Sequence, residues 1–285
     1  SGSCFLLFHR QLSLDGLRET HDWFRKPGSF ECTLEKIACL QRLGIRTVVM
    51  TTVSGKNIAE VPALIDTVVQ CGADVFSFAR YCPAGGETDN GITPAAYRAL
   101  LEACDKKFRQ YAAAGCRTYF DRKDHLWTLY AYETGAFRLP ADARPGVIYG
   151  GCNCGNCHLT VLPNGDLYAC RRFESKVGNA FEDRIADVWR CGRMEAYRDY
   201  ARFKKCSKCV LLPYCRGCPA AGIFTGRTRS AGGRLCDGGG TRPLRAPGAV
   251  GPFCESAAER RNRVCGSAAA PFCRNASVQH GSTFI

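Results

Sequence analysis

Short β-branched apolar runs alternate with stretches whose apolar positions recur every three or four residues through the first 115 residues. That alternation predicts strand, helix, strand, helix, the pattern of parallel α/β units. Gln11 to Leu14 ends a short apolar strand, and Asp15-Gly16 turns the chain. Ser29 is placed to cap a helix whose apolar face is Phe30, Leu34, Ile37 and Leu40, stopped by Gly44. RTVVMTT, residues 46–52, reads as a buried strand. A second helix is predicted over 58–70 and a third strand over 74–79, followed by the Pro- and Gly-rich loop RYCPAGGET. Thr93-Pro94 opens a long helix to about residue 113. Within residues 116–145, TYFDRKDHLWTLYAYETG reads as a bridging helix, with His125 on its surface and Asp121, Asp124 and Tyr130 as candidates to face a substrate. From 146 to 225 the apolar runs shorten: HLTVLP and DLYAC flank Asn164-Gly165 as a hairpin, and IADVWRCGRMEAYR is helix-like.

Residues 226–285 are rich in Gly, Ala, Arg and Pro, lack lysine and show no sustained periodicity, so they are expected to be a disordered or loosely attached tail. An out-of-frame or wrongly joined reading would also produce such a segment. The formal charge of the whole chain is +13, of which this tail, with nine arginines and three acids, supplies +6. No groove-reading motif or aromatic-interleaved basic strip accompanies the charge, so nucleic acid is not an expected partner. No run approaches the roughly twenty apolar residues of a membrane span. With 285 residues, 46% of them hydrophobic, a soluble chain of one to two domains is expected.

Twenty cysteines change the picture. Nine lie from Cys152 to Cys218, and eight of them fall in metal-type groupings: Cys152, Cys154, Cys157 and Cys170 around the hairpin, then Cys206, Cys209, Cys215 and Cys218 in a C-x2-C-x5-C-x2-C spacing. Disulfides fit poorly, because the chain is long and has no secretory apolar region beyond Cys4 to Phe8. Spacing alone leaves structural zinc and iron–sulfur clusters open. Thiolates that must stay reduced point to a cytoplasmic setting.

The block resembles the SPASM domain of radical S-adenosylmethionine (SAM) enzymes. Cys152-x12-Gly165-x4-Cys170 and Cys206-x2-Cys209-x5-Cys215 follow that pattern, Cys218 falls one residue early, and Cys236 is in the place of the distal cysteine. VGNA at 177–180 and the helix-like segment after it also resemble the linker between the two cysteine groups. The resemblance implies two auxiliary [4Fe-4S] clusters. The first would take Cys170, Cys218 and two of Cys152, Cys154 and Cys157, and the second Cys206, Cys209, Cys215 and Cys236.

SLDG at 13–16 followed by ETHD at 19–22, TTVSGKN at 51–57 and ARYCPAGG at 79–86 likewise resemble the later strand ends of a radical SAM barrel. The implied fold is α/β: residues 1–115 form the later part of a partial (βα)6 barrel, 116–145 a bridging helix, and 146–225 a cysteine-rich α+β SPASM domain. Ser13, Asn57 and Arg80 would line the SAM pocket. The C-x3-C-x2-C motif that holds the SAM-cleaving cluster is nowhere in the sequence, so the chain is expected to be a C-terminal portion, inactive alone, whose SGSCFLLFHR start is foreign. The full-length protein would use SAM and a third [4Fe-4S] cluster, receive electrons from a flavodoxin or ferredoxin, and modify a ribosomally made peptide by radical chemistry. Arg171 follows Cys170 where sulfatase maturases of the family carry aspartate, which argues against that subclass. A non-catalytic, metal-stapled peptide-binding module is the competing expectation.

Overall fold

A computed structural model describes residues 9–223 apart from 84–86, 88, 145 and 204. Cys236 and the expected tail at 226–285 lie outside the described residues.

Four strands, β1 (His9–Ser13), β2 (Arg46–Val53), β3 (Val75–Arg80) and β4 (Tyr119–Asp121), pair side by side in chain order, all parallel. Parallel strands need crossovers. These are α1 (Arg18–Phe24) with α2 (Ser29–Arg42), then α3 (Val61–Gln70), then α4 (Pro94–Ala113). The core joins the strand residues Val49, Val53, Phe76 and Phe78 to Ile37, Leu64, Ile65, Val68, Leu101 and Phe108 of the helices, all buried. Phe108 of α4 stacks on Phe120 of β4 with ring centroids 4.4 Å apart.

Three elements differ from expectation. Ser29 is the first helical residue of α2 rather than its cap. The orphan amides of that turn are bound instead by Asp22 of α1, whose carboxylate accepts from Gly28 N at 2.8 Å and Phe30 N at 2.7 Å. The stretch read as one bridging helix splits. Tyr119–Asp121 is the fourth strand, extending the parallel sheet past residue 115, and only α5 (Leu126–Glu133) is helical. IADVWRCGRMEAYR forms two short helices, α6 (Ile185–Arg190) and α7 (Gly192–Glu195), broken at the extended Cys191.

The hairpin folds as its turn residues dictate. β5 (Thr160–Val161) and β6 (Asp166–Tyr168) pair antiparallel across Asn164-Gly165, Gly165 having φ 84°. β7 (Lys176–Asn179) adds a third antiparallel strand, and Leu167, Val177, Val188 and Met194 fill the space beneath it. The chain ends its described course in α8 (Leu212–Cys215) and α9 (Pro219–Ile223). Among the described residues no helix is long and apolar enough to cross a membrane.

Candidate metal centre

Each parallel strand delivers its next loop to one edge of the sheet. Ser13 ends β1, Asn57 lies just past β2, Arg80 ends β3 and Asp121 ends β4. This carboxyl-end edge is where open and closed parallel sheets keep working groups. Ser13 is half-buried. Asn57 is fully buried: its Nδ2 donates to Asp15 O at 2.7 Å and Thr52 O at 2.9 Å, and its Oδ1 accepts from Ser54 N at 2.7 Å. It therefore ties the loop after β1 to the loop after β2. Asp15 completes the tie through Thr52 N, at 2.8 Å.

Arg80 is clamped by Asp124, with Nε to Oδ2 at 2.9 Å and Nη2 to Oδ1 at 3.2 Å, and its guanidinium sits 5.2 Å from the Tyr97 ring centre. Burial alone would raise the Asp124 carboxyl, but the Arg80 charge and hydrogen bonds outweigh it and hold the group well below the usual carboxylate range. Tyr130 is buried against Trp127 in the core.

The cysteine-rich region meets this edge. Arg172, two residues after Cys170, donates through Nη2 to the Arg80 carbonyl. Cys152 N donates to Cys215 O at 3.1 Å, and Tyr149 N to Pro213 O at 2.8 Å, so the segment before the hairpin runs against α8. Gly151 permits the approach: at φ 89°, a Cβ there would strike the Cys215 carbonyl. Arg216 and Gly217, at φ 58° and 61°, then swing Cys218 back toward the hairpin.

Four of the expected thiols gather as a result. The Cys154 thiol donates to Cys170, and both are near Cys152 and Cys218. That hydrogen bond, joined by the Arg172 amide, brings Cys170 down to about 7, whereas burial pushes Cys152 up to about 12. Cys218 is held well below the ordinary thiol range, first by a hydrogen bond from Cys82 and then by Arg172, His125 and Arg80. His125 is thus not a helix-surface residue: it precedes α5 beside Cys218, and burial lowers its pKa. Cys157 is exposed, its thiol on Asn153 Oδ1 at 3.2 Å.

Cys82, just past β3, was missed by spacing arguments because its partner is far along the chain. The only sequence signal for it is its position in ARYCPAGG at a strand end. Of the other expected ligands, Cys206 is buried beside Phe203, Cys209 is exposed, and the Cys215 thiol lies 3.7 Å from the His125 carbonyl. Among the described residues no three or more His, Cys, Asp or Glu side chains converge on one metal-ion position. The thiols around Cys218 sit in pairs, beside the Arg172 and Arg80 guanidiniums. This donor set, soft, sheltered and charge-compensated, fits a polynuclear cluster, whose thiolates occupy separate corners and carry net negative charge.

Residues 152–219 match the SPASM family, an iron–sulfur cluster-binding domain. The chain is 27% identical over 217 residues to the AdoMet-dependent heme synthase of Methanosarcina barkeri, a match covering 73% of this chain and 61% of the relative. It is 21% identical over 197 residues to the sporulation killing factor maturation protein SkfB of Bacillus subtilis, covering 69% and 44%. The chain spans about three fifths of the length of the heme synthases it matches. Its fold is shared with Streptococcus suis SuiB (TM-score 0.57, 21% identity, 77% of this chain and 52% of that one). It is shared also with anSMEcpe solved with bound AdoMet and a peptide (TM-score 0.60, 14% identity, 81% and 65%). Residues 152–219 thus match the SPASM domain, and the chain as a whole is similar to radical SAM/SPASM enzymes and shares the fold of SuiB and anSMEcpe.

Proposed function

We propose that this chain is the portion of a radical SAM/SPASM oxidoreductase that holds the auxiliary clusters and one wall of the SAM and substrate cleft. The observation that carries the reading is the meeting of buried thiols from the hairpin and from residue 218 with the carboxyl-end edge of a parallel sheet. Cys152, Cys154, Cys170 and Cys218 would hold the first [4Fe-4S] cluster, leaving Cys157 as the spare upstream thiol. Cys206, Cys209, Cys215 and Cys236 would hold the second. Bound there, such clusters supply one-electron chemistry at a potential set by burial and hydrogen bonds to sulfur. Arg80 and Arg172 would offset the thiolate charge. Ser13, Asn57 and the backbone they order would shape the SAM side of the cleft, with SAM itself cleaved at a third cluster in the whole protein.

The substrate we propose is a ribosomally made peptide, supported by SkfB, a maturation protein, and by the folds of SuiB and anSMEcpe, both solved with peptides. A flavodoxin or ferredoxin would deliver the electrons. A second reading is favoured by a specific observation: three relatives at 25 to 27% identity are AdoMet-dependent heme synthases, so a haem precursor is the competing substrate class.

The test is iron, sulfide and zinc content after anaerobic purification and reconstitution, with an absorption spectrum. About eight irons and eight sulfides per chain are expected for two [4Fe-4S] clusters. Zinc with negligible sulfide would refute the electron-transfer reading and leave a metal-stapled binding module. Fluorescence titration of the cluster-loaded chain with an acidic peptide and with a porphyrin carboxylate then separates the two substrate classes.

A further inference from the structure

Arg216 combines two features that cost stability and that glycine would avoid. At φ 58° it is, among the described residues, the only one other than glycine with a left-handed backbone, where a Cβ is strained. Its side chain is also enclosed. The residue is 4% exposed and its Nε is buried without a hydrogen-bond partner. Among the described residues no carboxylate pairs with the guanidinium. Arg80, by contrast, has Asp124. A buried cation with no counter-charge is among the most unfavourable groups a protein interior can hold.

The place of Arg216 in the chain indicates which anion it faces. Its amide closes α8 by donating to Leu212 O at 3.0 Å, and Gly217, at φ 61°, continues the turn. Cys215 stands directly before it and Cys218 two residues after it, one from each of the two proposed ligand sets. Cys152 joins them from the hairpin side, its amide donating to Cys215 O at 3.1 Å. A guanidinium shut in at this junction is surrounded by segments whose thiolates would carry negative charge.

We propose that Arg216 is the internal counter-cation of the auxiliary iron–sulfur centre, donating its guanidinium hydrogens to sulfur where the two ligand sets adjoin and raising the reduction potential there. This rests on the iron–sulfur reading of the domain. A fixed positive charge favours the reduced, more negative state, and donors to sulfur act in the same direction. Arginine suits the task because it stays charged when buried and offers several donors in a fixed fork. The left-handed backbone is then strain kept at a working position, where glycine would fit better but bring no charge.

The test compares the whole chain with Arg216→Gly and Arg216→Lys. Metal-free and reduced, Arg216→Gly should unfold at no lower a urea concentration than the parent, since it removes a strained Cβ and an unpaired charge together. Reconstituted anaerobically and titrated under EPR, the same variant should show at least one cluster harder to reduce by ten-fold or more in the equilibrium constant, about 59 mV for one electron. Arg216→Lys, which keeps the charge, should retain at least half of that difference. Cluster potentials unchanged in Arg216→Gly, or lowered equally in both variants, overturn this inference alone. A metal-free Arg216→Gly chain less stable than the parent does so too, because the guanidinium would then support the fold without a cluster. A parent chain that takes up no sulfide overturns it together with the iron–sulfur reading.

Discussion

Asp124→Ala should be among the most damaging single substitutions in the α/β region, for reasons separable from any metal. The side chains of Asp124 and Arg80 are 3% and 13% exposed and are joined by two hydrogen bonds at 2.9 and 3.2 Å. The same carboxylate accepts from Leu126 N at 3.0 Å and so starts α5. Truncation leaves a buried guanidinium without its counter-charge, a defect that typically costs about 3–5 kcal/mol. For a chain of this size that corresponds to a fall in Tm of roughly 6–20 °C. Urea unfolding of the metal-free, reduced chain followed by circular dichroism measures it. Pairing the change with Arg80→Met should recover most of the loss, because removing both charges leaves nothing uncompensated. The pH dependence has a definite sign. Because the folded-state carboxyl is held below its unfolded value, the pair stabilises fully above about pH 4 and loses its effect as pH falls further. The gap between parent and variant should therefore close in acid. A loss under about 1 kcal/mol at pH 7, or a gap that widens below pH 4, would refute the argument.

Three further substitutions probe other links. Gly151→Ala should cut reconstituted iron by at least about half, since a methyl at that left-handed position drives the Cys152 segment off the Cys215 carbonyl; unchanged iron content would show that the contact can relax. Thr93→Ala removes the side-chain oxygen that accepts from Ala96 N at 3.1 Å, and should cost about 1 kcal/mol in urea unfolding with no change in iron. Gly165→Ala places a Cβ on the Phe181 ring at φ 84°, and should cost at least 1–2 kcal/mol while weakening cluster retention through the displaced Cys170 strand; a variant as stable as the parent would count against the strained-turn account.

Elements whose physics is local are legible in the sequence. Thr93, Pro94 and the apolar spacing of Tyr97, Leu100, Leu101 and Phe108 fix α4 from Pro94 to Ala113 as expected, because cap, first-turn proline and periodicity agree. The hairpin at Asn164-Gly165 is set by its turn in the same way. TYFD carries no strand signal of its own, because a three-residue edge strand has too short an alternation to compete with the helical signal that follows. Only the neighbouring β3 makes it a strand. Ser29 lost the capping role to Asp22, seven residues earlier, a choice decided by how α1 folds back.

The same distinction separates the cysteines. Cys206, Cys209 and Cys215 are close in sequence, and a spacing rule groups them readily, whereas the thiols of Cys152, Cys154, Cys170 and Cys218 come together from segments far apart in the chain. Their meeting depends on the parallel sheet presenting the end of β3, on Gly151 letting two backbones touch, and on the left-handed turn at Arg216 and Gly217. None of these is a property of cysteine spacing. The arrangement is also costly without metal, since it buries several thiols beside the Arg172 and Arg80 guanidiniums, of which only Arg80 has a carboxylate partner in Asp124. A chain that folds its cations around sulfur in this way is stabilised when the sulfur is ionised. Cluster loading and the docking of the SPASM domain onto the sheet edge should therefore rise and fall together, with chelator treatment lowering the unfolding temperature of the α/β region as well as that of the hairpin.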